Sequence, residues 1–249
     1  MEFVVSDAKF FKSCVDAIAN LVDEGNFELS AKGLHLRSMD PSQIALVDFS
    51  MPRESFETLD AGDAVTLGVN IVDFGKVLAR SRGDEKLTVA MEEKENKFSL
   101  EFAGESRRKF RMPLLDLGGA APKEPKIAFD ASVKMRGGAF KEMLRDAALF
   151  SSHVVLACRE QDFVVEARGD GGETTIETRK DAASVVELKA SAPARAMFPL
   201  EYLEDMTRAC PDDAPVLVEL KGDLPVRVSY DIGGKAHLAY YLAPRVENL

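Results

Sequence analysis

The sequence predicts an α+β protein built from two tandem copies of one unit, each with two helices packed on antiparallel β-sheets. Three observations carry that expectation. Four segments place apolar residues at steps of three and four, and segments of alternating hydrophobicity lie between them. The second half then repeats the order of the first: at one constant offset Phe11 falls on Phe140, Lys12 on Lys141, Phe74 on Leu203, Ala79 on Arg208, Leu87 on Val216 and Val89 on Val218. Self-similarity at a fixed spacing is the mark of duplication.

The first amphipathic segment is SDAKFFKSCVDAIANLV, residues 6–22, with Ala8, Phe11, Val15, Ile18 and Val22 on one face and Lys9, Lys12, Asp16 and Asn20 elsewhere. Ser6 or Asp7 can accept hydrogen bonds from its first amides. FELSAKGLHLRSM and QIALVDFSM alternate as strands do. Helical period returns in GVNIVDFGKVLARS, from an Asn70 cap, with Ile71, Phe74 and Leu78 apolar. KLTVAME, KFSLEFA and RKFRMPL complete the first copy as strands. A Gly-, Ala- and Pro-rich stretch separates the copies, so the expected division is 1–113, a connecting loop at 114–126, and 127–249.

The second copy opens with a strand, IAFDASVKM, then a helix, GAFKEMLRDAALF, and the strands VVLAC and FVVEARG. A strand pair around TTIETR and SVVELKAS follows, then a helix, PLEYLEDMTRA, with Pro199 expected at its first helical position. PVLVELKG, PVRVSYDI and HLAYYLAP close the chain as strands. The ending is unusual for a terminus, because YYLAPRVENL keeps two tyrosines, a leucine and a proline where polar residues are the norm.

Composition narrows the function. With 249 residues and 46% hydrophobic content the chain can build its cores without disulfides or metals. Cys14, Cys158 and Cys210 have no paired spacing and read as buried small hydrophobes of a reducing cytosol. No apolar run approaches the roughly 18 to 20 residues of a membrane span, so a soluble protein is expected. A net charge of −10 argues against a generally basic nucleic-acid surface, although RSRGDEK and SRRKFR are local basic clusters.

No catalytic or metal constellation emerges. His35, His153 and His237 lie far apart in strand-like contexts, and none belongs to a metal-binding spacing. The glycine clusters GDGGE and GGK are neither phosphate loops nor dinucleotide fingerprints and read as hairpin turns. Neighbouring carboxylates such as Glu92 and Glu93, or Glu204 and Asp205, point apart and read as solvated charge. The stretch 106–112 has two open readings: an edge strand guarded by charge, or an edge that pairs with an acidic edge of another copy. As a strand it would show Arg107, Lys109 and Arg111 on one face and Arg108, Phe110 and Met112 on the other.

RSMDPSQIALVDF, LGVNIVDFGKVL, RMPLLDL, FPLEYLEDMTRA and HLAYYLAPRVE span nearly the whole chain in order. With them the sequence closely resembles the proliferating cell nuclear antigen family, the sliding DNA clamps of archaea and eukaryotes, and its wording is of the archaeal type. The resemblance implies a DNA-clamp fold, two tandem similar domains that assemble, three chains together, into a pseudo-six-fold ring. It implies no catalysis, cofactor or metal. The expected partners are encircled duplex DNA, further copies in a homotrimer, and DNA polymerase, clamp loader, flap endonuclease and DNA ligase, which dock through short PIP-box peptides. A cytoplasmic, nucleoid-associated protein of an archaeal-type cell follows. The alternative is one subunit of a heterotrimeric or checkpoint-type clamp.

Carried over by position, the resemblance implies two sets of residues. Lys12, Lys76, Arg145 and Arg208 match basic helix positions of the family and would face DNA, with Lys9, Arg80, Arg82 and Lys141 adding charge nearby. Ser13, Ala19, Ala79 and Glu142 stand where eukaryotic members are commonly basic, so the positive lining is thin. Met39, Gln43, Ile44, Leu46, Pro225, Tyr241, Leu242, Ala243, Pro244 and Val246 would wall the PIP-box pocket, which gives the apolar ending a purpose. The charges themselves, a basic edge of Arg107, Arg108, Lys109 and Arg111 and acidic Glu142, Asp146, Glu173 and Glu177 near the second domain's presumed edge and third helix, would meet across the subunit interface of such a ring. The linker LGGAAPKEPK is smaller and more basic than is common in the family.

Overall fold

Among the described residues, four α-helices and eighteen strands follow one another in the same order twice. The first copy runs β1 (Glu2–Val5), α1 (Ala8–Ala19), β2 (Glu24–Ser30), β3 (Gly33–Met39), β4 (Ala45–Pro52), β5 (Thr58–Asp60), β6 (Val65–Asn70), α2 (Ile71–Leu78), β7 (Lys86–Glu92), β8 (Lys97–Ala103) and β9 (Arg107–Pro113). The second runs β10 (Ala131–Arg136), α3 (Gly137–Ala148), β11 (His153–Cys158), β12 (Asp162–Gly169), β13 (Gly172–Arg179), β14 (Val185–Ala190), β15 (Ala194–Pro199), α4 (Leu200–Arg208), β16 (Pro215–Leu220), β17 (Val226–Ile232) and β18 (Ala236–Leu242). This computed structural model describes residues 1–92, 95–119 and 121–245, and the expectations for Glu93 and Val246 fall outside them. No helix among the described residues is long and apolar enough to cross a membrane.

The chain forms two compact units. The first gathers Met1–Pro41, Val47–Lys123 and Ile232–Leu238; the second gathers Ser42–Leu46, Glu124–Asp231 and the stretch from Ala239 onward. Strand order repeats between the copies: β5-β1-β7-β8-β9 with β4-β3-β2-β6, then β14-β10-β16-β17-β18 with β13-β12-β11-β15. All the registered pairs are antiparallel, for example Phe3 opposite Val89 and Val133 opposite Val218.

The helix starts preserve the repeat at the level of single hydrogen bonds. Ala8 N–H donates to Glu85 O at 3.0 Å and Gly137 N–H to Ala214 O at 2.8 Å; Ile71 donates to Asp23 O at 2.8 Å and Leu200 to Ser152 O at 2.9 Å. Each helix thus gives an otherwise orphaned amide to a loop carbonyl at the matching place in its own copy. Side-chain caps differ. Asp7 accepts from Lys9 and Phe10 amides at 2.8 and 3.1 Å, and Asn70 accepts from Asp73 N–H at 2.8 Å. Neither α3 nor α4 has a side-chain cap. Gly137 supplies close approach instead: a Cβ there would lie 2.6 Å from Pro211 O.

Two expectations shift. Pro199 is the cap residue of α4, with φ −62° and ψ 123°, and not its first helical residue. The ring fixes only φ, so it serves an extended ψ equally well. The strand expected from Ile127 begins at Ala131, because its partner β16 ends at Leu220, directly opposite.

The first core is aromatic: Phe3, Phe11, Phe27, Phe74 and Phe98 are buried, with Phe11–Phe74 and Phe74–Phe98 centroids 6.0 and 5.5 Å apart in edge contact. The second relies on Phe140, Phe163, Phe198 and on Tyr240, which is fully buried. All three cysteines are free and buried, and burial pushes the Cys14 thiol up to about 12.

Candidate functional site

The polar faces of the helices carry the expected DNA-facing cations, and most of these are matched by a carboxylate of the same copy. Lys12 pairs with Asp16, Lys76 with Asp73, Arg145 with Glu142 and Arg208 with Asp205, all one helical turn apart. Lys141 pairs with Asp212 and also donates to Cys210 O at 2.8 Å, so its side chain is only 15% exposed. Lys9, Arg80 and Arg82 are exposed, the latter two beyond the end of α2. Between α3 and α4 a cleft of about 240 Å³ is lined by Lys141, Leu144, Arg145, Glu204, Thr207 and Arg208. Burial lifts Asp205 above the ordinary carboxylate range, although Arg208 beside it pulls the other way.

The expected subunit edges are ends of sheets. β9 ends the first copy's five-stranded order, and β13 ends the four-stranded order of the second. Arg107, Lys109 and Arg111 are exposed on β9, while Lys109 and Arg111 reach Glu92 at 2.8 and 3.0 Å. The hydrogen bond from Lys109, reinforced by Arg111, holds Glu92 below the usual carboxylate range. Arg108 turns the other way. It grips Glu85 at 2.6 Å, donates to Arg80 O at 2.9 Å and lies 5.2 Å from the Phe102 ring centroid. On the second copy Glu142, Asp146, Glu173 and Glu177 are all exposed, Glu173 lying 3.8 Å from Arg168 and Glu177 4.0 Å from Arg159. Leu149, just past α3, is 76% exposed.

Around the tail, residues of the second unit converge. Ala243 N–H donates to Ile44 O at 2.9 Å and Arg245 N–H to Met197 O at 2.7 Å, which ties the chain after β18 down at two points. Leu46, Tyr241 and Leu242 are buried; Ile44, Pro225, Ala243 and Pro244 are half-buried; Gln43 is exposed and takes a left-handed φ of 59°. Met39 belongs to the first unit, at the end of β3, and is half-buried. The Tyr241 hydroxyl donates to Glu124 Oε1 at 2.8 Å, and the Arg227 guanidinium lies 5.9 Å from its ring centroid.

Comparison with known proteins places this arrangement. The family model described as "Proliferating cell nuclear antigen, N-terminal domain" matches residues 1–118, and the corresponding C-terminal domain model matches 123–245. The chain belongs to the proliferating cell nuclear antigen family. A protein of Methanococcus vannielii named DNA polymerase sliding clamp is 36% identical over 245 residues, 97% of this chain and 98% of the relative. One of the same name from Thermofilum pendens is 31% identical over 248 residues, 99% of this chain and all of the relative. Among solved structures, PCNA of Thermococcus kodakaraensis superposes with a TM-score of 0.92 at 23% identity, covering 98% of this chain and 99% of that one. A. fulgidus PCNA with the C-terminal region of FEN-1 bound superposes at 0.90 with 25% identity, over 100% and 99%.

Within that family frame, three side chains stand out that sequence reading did not single out. Glu124 and Arg227 meet Tyr241, and Glu85 holds Arg108. Arg227 had one legible signal: it occupies an odd, outward position of β17, the face on which β18 shows Tyr241. Glu124 and Glu85 had none, since both act across loops. Arg245 is a fourth, its guanidinium 2.9 Å from His153 Nε2. Burial, with Arg245 adding to it, holds His153 below the ordinary histidine range.

Proposed function

We propose that the chain is a DNA sliding clamp, a processivity factor without catalysis of its own. Three copies close a ring around duplex DNA, and the ring tethers DNA polymerase, flap endonuclease, DNA ligase and the clamp loader through PIP-box peptides. The observation that carries this reading is the duplication itself: one pair of helices on one pair of sheet orders, twice, with a family match over each copy. Two different sheet ends per chain, the basic β9 and the acidic β13, suit head-to-tail closure, which generates a ring when the rotation closes.

The domains are 1–113 and 127–249, joined by a loop at 114–126. Of the candidate interface residues, Arg107, Lys109 and Arg111 face outward from β9 towards the acidic Glu173 and Glu177 of a second copy's β13. Arg108 serves its own domain. The helix cations contact phosphate, exchanging their partner carboxylates for DNA oxygens, and the near balance of charge leaves retention to topology rather than to tight binding. Gln43, Ile44, Leu46, Pro225, Tyr241, Leu242, Ala243 and Pro244, all of the second unit, form the peptide pocket. The protein works in the cytoplasm, on the nucleoid.

Two measurements test this. Light scattering of the purified chain should give three times the chain mass, whereas a monomer would point to a subunit of a heterotrimeric ring. Primer extension by an archaeal DNA polymerase with a clamp loader should give longer products per binding event when the chain is present; unchanged product length would sink the clamp reading.

A further inference from the structure

Tyr241 presents a contradiction. It lies on the outward face of β18, where a side chain should meet solvent, yet it is 4% exposed. Two groups lie against it. Arg227 lies over the ring, its Nη1 held by Glu219 at 2.6 Å, while its buried Nε has no hydrogen-bond acceptor among the described residues. The Tyr241 hydroxyl donates a 2.8 Å hydrogen bond to the Glu124 carboxylate. Glu124 is the only carboxylate between Asp116 and Asp130, and Pro122 and Pro125 flank it closely. Each proline fixes its own φ, so a stiffened piece of linker presents that carboxylate. Glu124 itself is exposed, which means that no core depends on it.

We propose that the Glu124–Tyr241 hydrogen bond is a latch that sets the affinity of the tail pocket, an inference that rests on reading this region as the PIP-box site. A partner's apolar side chain can pack on the Tyr241 ring only when the linker lifts away, and lifting breaks a charge-assisted bond. Binding is then weakened by the fraction of time that the latch is closed. Arg227 has the opposite role: braced by Glu219, it keeps the ring upright as a wall whether or not the linker is in place. The hydroxyl and the ring of one tyrosine therefore have opposite effects on the peptide, the first opposing binding and the second supporting it.

Calorimetric titration of the intact protein with a PIP-box peptide separates these roles. Glu124→Ala and Tyr241→Phe should each bind about three- to tenfold tighter than the parent, as expected for loss of one charge-assisted, partly exposed hydrogen bond. The double variant should bind no tighter than the better single one, because both changes open the same latch. Equal or weaker binding by Tyr241→Phe overturns the latch, even if Glu124→Ala tightens, since the gain would then come from linker charge alone. Tyr241→Ala tests the underlying reading separately: normal peptide binding by that variant, or no binding by the parent, overturns the pocket and the latch together.

Discussion

β9 and β18 are the last strands of the two copies, and they could hardly differ more. The inward face of β9 carries Arg108, Phe110 and Met112, whereas that of β18 carries Ala236, Leu238 and Tyr240, all buried. The outward faces diverge further. Arg107, Lys109 and Arg111 are exposed on β9; His237 is half-buried on β18, and Ala239 and Tyr241 are buried. β9 has a ladder partner on one side only, β8, and charge along an open edge discourages indiscriminate pairing. Beyond β18 the chain continues to Ala243, whose amide is taken by Ile44, and Tyr241 is roofed by Glu124 and Arg227. β9 ends its sheet and β18 does not, so what lies beyond each strand differs, and its composition differs with it.

The largest effect should come from testing that contrast on outward-facing positions. Tyr241→Ala removes a covered aromatic ring and should cost about 3 kcal/mol of stability, at the low end for such truncations. Arg111→Ala, outward on the matching strand, should stay within about 0.5 kcal/mol. Denaturant unfolding of both variants compares them directly, and equal losses would mean that the two outer faces are alike after all. Because Tyr241→Ala weakens folding, its peptide binding must be measured well below its melting temperature.

A smaller effect is expected at the edge itself. Reversing Arg107 and Lys109 to Glu, with Arg108 kept so that its bond to Glu85 survives, should raise the dissociation constant of the trimer about tenfold or more, since like charges would face Glu173 and Glu177. Sedimentation at low micromolar concentration reads this, and an unchanged trimer would show that β9 faces something else.

The helices are the counter-example, being matched between copies. Replacing Lys12 and Lys76 with Ala in the first copy, or Arg145 and Arg208 in the second, should flatten the salt dependence of duplex binding comparably, by at most about 0.9 in log–log slope per phosphate contact. Unequal slopes would extend the divergence of the strands to the helices.

The smallest effect is a pH dependence at Glu92 on β7, which pairs with Lys109 and Arg111 of β9. Glu92 has a folded-state pKa below its unfolded value, so its pairing with Lys109 and Arg111 stabilises above the ordinary glutamate range and is lost as pH falls through the lowered value. The gap in melting temperature between the parent and Glu92→Gln should therefore close on acidification. A gap that persists at acid pH would mean that Glu92 acts by packing rather than by charge.

The amphipathic helices, the duplication and the turns were legible in the sequence because each is a local matter of period and turn chemistry. Asp7 and Asn70 cap the helices as their side chains suggest, and Gly169 opposite Gly172 closes the hairpin between β12 and β13. The family words were legible for the same reason, being contiguous. The docking region was only half legible: YYLAP announced an apolar ending, but alternation alone would leave Tyr241 open to solvent.

By itself, then, the sequence determined which segments would be helix or strand, that they would occur twice, and that the second copy would end on apolar residues. Only the tertiary structure decided that Arg108 turns inward to Glu85 while its neighbours face out, that Ser42–Leu46 joins the second unit, and that Glu124 and Arg227 enclose Tyr241. The reason is physical: periodicity assigns a side chain to a face, but what covers that face is brought there by residues far along the chain, and no local pattern encodes their arrival.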